Sequence, residues 1–186
     1  TATYQDVQTW LSGENDGLWS ALYLASQAYR YSATRSPEAL AMIKLLMDGQ
    51  LDRIKVTGVS GMFTRQLIPP NIEGISCPAD DASYTVDEEK DDNRWVQIRD
   101  DGCAWVVDRV SSQWVKTEHC GQEAYAGYCW MDNVSKDEYS GHMFALGAVW
   151  KLVDDEAVRA QVKDILQQVG AHMMANDLKI VDWDGR

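Results

Sequence analysis

Apolar residues recur every three or four positions in two parts of the chain, and this spacing indicates amphipathic helices. In residues 16–35 these positions are Leu18, Leu22, Ala25, Tyr29 and Ala33. A second helix is predicted over residues 36–56, with Ser36 as the N-cap and Pro37 at the first helical position. Because only a short turn separates the two helices, we expect an antiparallel helical hairpin over residues 14–58.

The same period returns towards the end of the chain, where residues 135–177 are predicted to form a second helical hairpin. Its first helix carries apolar residues at Met143, Leu146, Val149, Trp150 and Val153. Its second helix carries them at Val158, Val162, Ile165, Leu166, Val169 and Met173. Ser135 followed by Glu138 has the spacing of a capping box. Residues 178–186 are predicted to form a short terminal strand and an Asp-Gly turn.

The region between the hairpins, residues 59–134, has no helical period. Three short segments rich in Trp and Val are predicted to be strands: "RWVQIRD", "CAWVVDRV" and "SQWVKTE". All four cysteines lie in this region, at Cys77, Cys103, Cys120 and Cys129. Two disulfides and an oxidising compartment would explain this confinement, with three pairings open, and four buried free thiols are the alternative. We therefore expect an irregular, disulfide-tied β and loop insertion in a mainly α fold.

The charge balance narrows the classes of partner. The formal net charge is −12, which argues against nucleic acid and disfavours anionic membrane surfaces. No apolar run reaches the ~18 residues of a membrane-spanning helix, so membrane insertion is not expected. No signal peptide is visible, but a mature secreted chain would look the same. With the cysteines, these features predict a secreted, extracellular or periplasmic protein.

The starts of the two hairpins carry more acidic and aromatic residues than helix capping requires. Glu138 and His142 are four residues apart on one helix face, which can place an imidazole beside a carboxylate for acid–base chemistry. Asp16 and Trp19 occupy the corresponding place in the first hairpin, and two carboxylates across a cleft are what glycoside hydrolysis uses. The structural alternatives are capping by Asn15 or Asp16, core packing for Trp19, and a surface pair for Glu138 and His142.

Several further residues are candidates for binding a ligand. Arg65 follows the second helix, where it can clamp a carboxylate-bearing sugar or simply pair with an acid such as Asp137 or Glu138. The other candidates lie around the start of the second hairpin and carry aromatic or acidic side chains: Trp130, Asp132 and Tyr139. Flat aromatic faces suit the apolar faces of sugar rings, although several of the 8 Trp residues must belong to the core.

Cofactor and metal motifs are almost absent from the sequence. The acidic stretch from Asp80 to Asp92 is a candidate calcium loop, because hard cations prefer several oxygen ligands. It lacks the Asp-x-Asp-x-Asp-Gly order of a calcium-binding loop, so a solvated loop is the alternative. No nucleophile-elbow, zinc-protease, P-loop or dinucleotide-binding motif occurs, and no other cofactor is predicted.

Four segments carry a resemblance to a known class of protein: "ENDGLWSALYLASQAYRYSATRSPEAL", "VTGVSGMFTRQ", "DNVSKDEYSGHMFALGAVWKLV" and "LKIVDWDG". They resemble segments of bacterial extracellular proteins with a six-hairpin-glycosidase-like (α/α) toroid. The resemblance implies inner helices that begin at a cleft and meet a carbohydrate there. A complete toroid has six hairpins and this sequence shows two. We therefore expect part of a ring, a ring completed by another chain or further domains, or a smaller helical arrangement.

These observations predict an extracellular carbohydrate-active or carbohydrate-binding helical domain whose partner is a glycan or polysaccharide. If the domain is an enzyme, the class is glycoside hydrolase or polysaccharide lyase, with Asp16, Glu138 and His142 at the chemistry. Trp19, Arg65, Trp130, Asp132 and Tyr139 would contact the substrate. The alternative is a non-catalytic helical module that binds a glycan or a protein within a larger secreted assembly.

Overall fold

The computed structural model describes residues 13–77, 95–110, 113–132 and 135–182, and this part of the chain is mainly helical. Its helices are α1 (Asp16–Thr34), α2 (Pro37–Lys55), α3 (Lys136–Leu152) and α4 (Glu156–Ala175). They form the two hairpins that the apolar period predicts, with short turns inside each. The spacing of apolar residues within a segment depends on that segment alone, so it predicts the positions of the helices well.

Local capping explains where three of the helices begin. The Ser36 hydroxyl accepts from the Ala39 N–H at 3.2 Å, as predicted. The Ser135 hydroxyl accepts from the Glu138 N–H at 3.4 Å, which is the first half of the predicted capping box. The second half is not formed, because the Glu138 side chain turns into the interior. At α4 the carboxylate of Asp155 accepts from Val158.

The hairpins lie side by side, with α1 and α3 in the most extensive helix–helix contact. Close approach requires small residues, and Gly141 of α3 lies directly over Leu18, where a Cβ would be 3.0 Å from the Leu18 Cα. The buried face of α1 therefore consists mainly of small residues rather than the predicted large ones: Gly17, Ala21, Leu24, Ala25, Gln27 and Ala28. Leu22 and Tyr29, which we expected in the core, are exposed.

The described residues of the middle region form five short strands: β1 (Leu67–Ile68), β2 (Trp95–Gln97), β3 (Ala104–Val110), β4 (Gln113–His119) and β5 (Cys129–Met131). β5 is the central strand of an antiparallel sheet with the order β1-β5-β2, and β3 and β4 form a separate hairpin. The three predicted strand segments are thus confirmed. This sheet holds residues 64–66 beside the helix starts, because Met131 exchanges main-chain hydrogen bonds with Arg65 and Gln66.

All four cysteines are paired, so the prediction of two disulfides is confirmed and the free-thiol alternative is wrong. Cys77 is bonded to Cys129 and Cys103 to Cys120, which decides among the three pairings. Disulfides are typical of oxidising compartments, in agreement with the expected location. Within the described residues no helix is long and apolar enough to cross a bilayer.

The predicted terminal strand is not formed in residues 178–182. The Leu178 N–H donates to the Met173 carbonyl at 2.7 Å, and the Val181 N–H donates to the ring Nε2 of His172 at 3.2 Å. These backbone groups therefore bind the end of α4 instead of a neighbouring strand. The predicted Asp-Gly turn and the candidate calcium loop, residues 80–92, lie outside the described residues.

Candidate functional site at the starts of α1 and α3

Glu138 and His142 form a fully buried pair in the first two turns of α3. The Oε2 atom of Glu138 lies 3.5 Å from the Nε2 atom of His142, and neither side chain has any solvent exposure. The Phe63 ring stacks on the imidazole with ring centres 4.0 Å apart and planes 10° apart. The predicted proximity is therefore present, and the surface-pair alternative is wrong, while a catalytic role remains a prediction.

The start of α1 lies against this pair. Gly17 has no side chain, and a Cβ there would collide with the Glu138 carboxylate and lie 3.1 Å from the His142 Nε2. Asn15 occupies the N-cap position of α1 without a side-chain hydrogen bond to the helix. The Glu138 carboxylate thus lies at the positive end of the α1 dipole, where a negative charge is stabilised. This placement is a structural role for Glu138 and favours its ionised form.

Burial acts on Glu138 in the opposite direction and is the stronger effect. Desolvation raises the pKa of Glu138 to about 7, against the opposing Arg53 charge and the main-chain N–H of Leu18. Neither carboxylate oxygen receives a hydrogen bond of good geometry from the described residues. Since buried polar groups are nearly always hydrogen-bonded, this acid is a candidate for function and not only for stability.

His142 is held in its neutral form. Burial, followed by the nearby positive charge of Arg53, lowers the pKa of His142 to about 3. Neither ring nitrogen is hydrogen-bonded within the described part of the chain. Near neutral pH the pair therefore combines an uncharged imidazole with a carboxyl group that is partly protonated.

Arg53 is the cation at the centre of the cluster, and sequence reasoning missed it. Its Nη1 atom donates to the carbonyl oxygen of Arg65 at 2.8 Å and to that of Thr64 at 3.4 Å. Its charge acts on Asp16 and on Glu138. Arg53 lies in the last turn of α2, where a basic residue is already explained by the helix dipole. Nothing in the sequence around Arg53 distinguishes a residue that stabilises the end of α2 from one that belongs to the cluster.

Asp16 is the part of the cluster nearest to solvent, since its side chain is half-buried. Its Oδ2 atom accepts a 2.6 Å hydrogen bond from the Nε2 atom of Gln66, so Asp16 does not cap α1 and that alternative is wrong. Partial burial raises the pKa of Asp16, the Gln66 hydrogen bond and the Arg53 charge lower it, and the Glu138 charge raises it. The two carboxylates are therefore electrostatically coupled, as a shared site requires.

The remaining predicted residues near the cluster differ in their burial and in their contacts. The Arg65 Nη1 atom lies 3.8 Å from the Glu14 Oε2 atom, and the Arg65 charge also lowers the pKa of Glu138. Trp19 is 63% exposed, so it is not a core residue. Asp132 is half-buried directly after β5. Of these side chains, Trp19 is the most exposed, and their predicted substrate contacts remain predictions.

Two predicted sugar-stacking residues are core residues in this structure, and that prediction is corrected. Trp130 is fully buried because it lies on the central strand β5, among Val56, Met62 and Val96. Tyr139 is buried beside Phe63, and its hydroxyl donates to the Gly61 carbonyl at 2.6 Å. An aromatic ring with no free face cannot stack on a sugar.

Within the described residues, no group of three or more His, Cys, Asp or Glu side chains could hold a metal ion. The arrangement instead offers two carboxylates in different environments, Asp16 near solvent and Glu138 fully buried, with the Arg53 charge acting on both. Such a difference divides acid and base roles between two similar groups. The chain shows no match to a known protein family, to a curated protein or to a solved structure.

Proposed function

We propose that this chain is a secreted, carbohydrate-active domain of the (α/α) toroid type, with its chemistry at the starts of α1 and α3. The observation that carries the proposal is the convergence of Asp16 and Glu138 around Arg53, in two different environments. Glycoside hydrolysis uses one carboxyl group as acid and a second as base or nucleophile, and of this pair Asp16 is the one near solvent, with its charge state coupled to Glu138. The toroid assignment rests on the resemblance and on the side-by-side hairpins.

Asp16 is the member of the predicted catalytic set that can touch a glycan directly, because Glu138 and His142 have no exposed surface. We assign the positioning role to Glu138, whose charge acts on Asp16, and to His142, which packs against Glu138. Trp19 and Arg65 would contact the glycan on either side, Trp19 through its exposed indole and Arg65 through its charge. We assign Asp132 a further contact with the glycan.

The test is product release from a panel of neutral and acidic polysaccharides by the unmodified chain and by Asp16→Asn. We expect Asp16→Asn to lower turnover by ~10²–10⁴, the usual contribution of a general acid or base. Asp137→Asn is the matched control, since it removes an exposed carboxylate at the same end of the hairpins. Unchanged turnover in Asp16→Asn would remove Asp16 from the mechanism.

A second candidate function is a non-catalytic module that binds a glycan or a protein within a larger assembly. Complete burial of Glu138 and His142 favours it, as do the large apolar side chains on the outer helix surfaces. These include Trp19, Leu22, Tyr23, Tyr29, Leu45, Phe144, Trp150, Leu166 and Met174. This candidate predicts saturable binding without product release. It also accommodates further hairpins, supplied by another chain or by further domains, against those surfaces.

A further inference from the structure

An open groove lies between the second half of α3 and the middle of α4, away from the acid–imidazole cluster. Its volume is about 410 Å³, and it is lined by Trp150, Lys163, Leu166 and Gln167. Trp150 and Leu166 were predicted to lie in the core, but they are 50% and 40% exposed. A volume of this size is in the range of small-ligand sites, which combine apolar walls with a few polar groups.

Two cationic side chains lie close to the exposed indole of Trp150. The guanidinium carbon of Arg159 lies 5.8 Å from the ring centre of Trp150, and its Nε atom donates to the Val153 carbonyl at 2.7 Å. Lys163 follows one helical turn later on the same face of α4. Both side chains therefore present positive charge at the groove, on a chain whose formal net charge is −12.

None of the acids close to Lys163 in the sequence forms an ion pair with it among the described residues. Glu156 lies two helical turns earlier, ~10 Å along α4, and the other acids are engaged elsewhere. Asp154 pairs with Arg35 at 2.8 Å, and Asp155 pairs with Lys44 at 2.7 Å. Asp164 accepts a 2.9 Å hydrogen bond from Gln168 and, as the next residue in the helix, faces away from Lys163. The positions one turn from Lys163 on its own face are Arg159, Ala160, Leu166 and Gln167, and none is acidic.

We propose that this groove binds an acidic saccharide, with the C–H face of a pyranose ring against Trp150 and its carboxylate at Lys163. The Gln167 amide can donate to and accept from ring hydroxyls. Neither an uncharged apolar ligand nor a neutral sugar would offer Lys163 an anionic partner. The groove lies ~18 Å from Glu138 along α3, since Trp150 follows it by twelve residues. The inference is therefore independent of the chemistry proposed at the helix starts.

The test is a nuclear magnetic resonance titration of the whole chain with sodium glucuronate and, separately, with glucose. The two sugars share the ring and differ in a carboxylate against a hydroxymethyl group. The Trp150 indole N–H signal is assigned as the signal that is missing in Trp150→Phe. We expect glucuronate to shift this signal saturably and more tightly than glucose, with affinity that falls as salt is added.

Variants locate the binding. We expect Lys163→Met to weaken glucuronate binding about two- to fivefold, the range of an exposed charge pair. In Trp150→Ala, which lacks the indole signal, the backbone amide signal of Lys163 reports the titration, and we expect binding to be weaker by about tenfold. Lys179→Met removes an exposed lysine outside the groove and should bind as the unmodified chain does. Because the readout is the Trp150 signal itself, failure of the function proposed at the helix starts would not affect this result.

Four results would overturn the proposal. The absence of a saturable shift with glucuronate would show that the groove does not bind it, and equal affinity for glucose would contradict the acidic class. Unchanged affinity in both Lys163→Met and Trp150→Ala would place the binding elsewhere. A Trp150 signal that moves with protein concentration in the absence of sugar would make the groove a contact between copies of this chain.

Discussion

Replacing Glu138 by glutamine should change how the free energy of unfolding depends on pH. Burial raises the pKa of Glu138 from its ordinary value of 4.5 to about 7 in the folded chain. Because the folded state keeps this proton to a higher pH, the group stabilises the fold below its unfolded pKa of 4.5. That stability is lost as the pH rises through about 7. Glutamine has nearly the same size and remains neutral throughout.

The magnitude follows from the two pKa values. They differ by about 2.5, and one pKa unit corresponds to ~1.36 kcal/mol, so the full effect is about 3 kcal/mol. Relative to the unmodified chain, Glu138→Gln should therefore become more stable by up to about 3 kcal/mol between pH 4.5 and 8. The hydrogen-bonding loss from the substitution is small, because no group in the described part of the chain donates to either oxygen with good geometry.

His142 imposes the opposite pH dependence, and it is present in both proteins. Its pKa is lowered from 6.5 to about 3, so its stabilising contribution is present above 6.5 and is lost as the pH falls towards 3. Between the two unfolded values of 4.5 and 6.5 the slopes of the pair cancel in the unmodified chain. Only the difference between Glu138→Gln and the unmodified chain isolates the acid.

The assay is urea unfolding followed by tryptophan fluorescence over this pH range, with the disulfides intact. Glu156→Gln is the control, because it changes an exposed glutamate in the first turn of α4. Its stability difference should stay within ~0.5 kcal/mol at every pH. A difference for Glu138→Gln that does not vary with pH would mean that Arg53 and the α1 dipole outweigh burial, and the reasoning would be refuted.

Two further predictions test the packing at Gly17 and the contribution of the Cys103–Cys120 disulfide to stability. Gly17→Ala should destabilise the fold by ~1–3 kcal/mol, because the new methyl group collides with the Glu138 carboxylate. Thermal unfolding measures the loss, and combining it with Glu138→Ala should recover part of it; additive losses would contradict the contact. Replacing both Cys103 and Cys120 by serine opens a loop of 17 residues and should cost about 3 kcal/mol. Equal stability before and after reduction of this disulfide would contradict the second estimate.

The helices and their starts could be predicted from the sequence because their causes are local. Burial with a period of 3.6 residues identifies a helix without knowledge of its neighbours. Ser36 and Ser135 cap helices through bonds to residues three positions away. The proximity of Glu138 and His142 is local in the same sense, because a spacing of four places them on one helix face. The cysteines indicated two disulfides, but not which residues pair.

The burial of particular side chains depended on elements distant in the sequence. α1 turns its small residues inward because α3 approaches it closely at Gly141, and this leaves Leu22 and Tyr29 outside. Trp130 is buried because its strand lies between two others, which its own segment does not reveal. Trp150 and Leu166 fit a core pattern, yet no described element covers them.

Spacing within a short segment is enough to predict the two hairpins, the strands of the middle region and the pair on α3. The fold brings Gly17 of α1 and the charge of Arg53 of α2 to that pair, and Gln66 of a loop to Asp16, although these residues are far from α3 in the sequence. It also decided that Glu138 and His142 lie in a dry interior. Desolvation depends on everything packed around a group, and so the charge state of the site is a property of the whole fold.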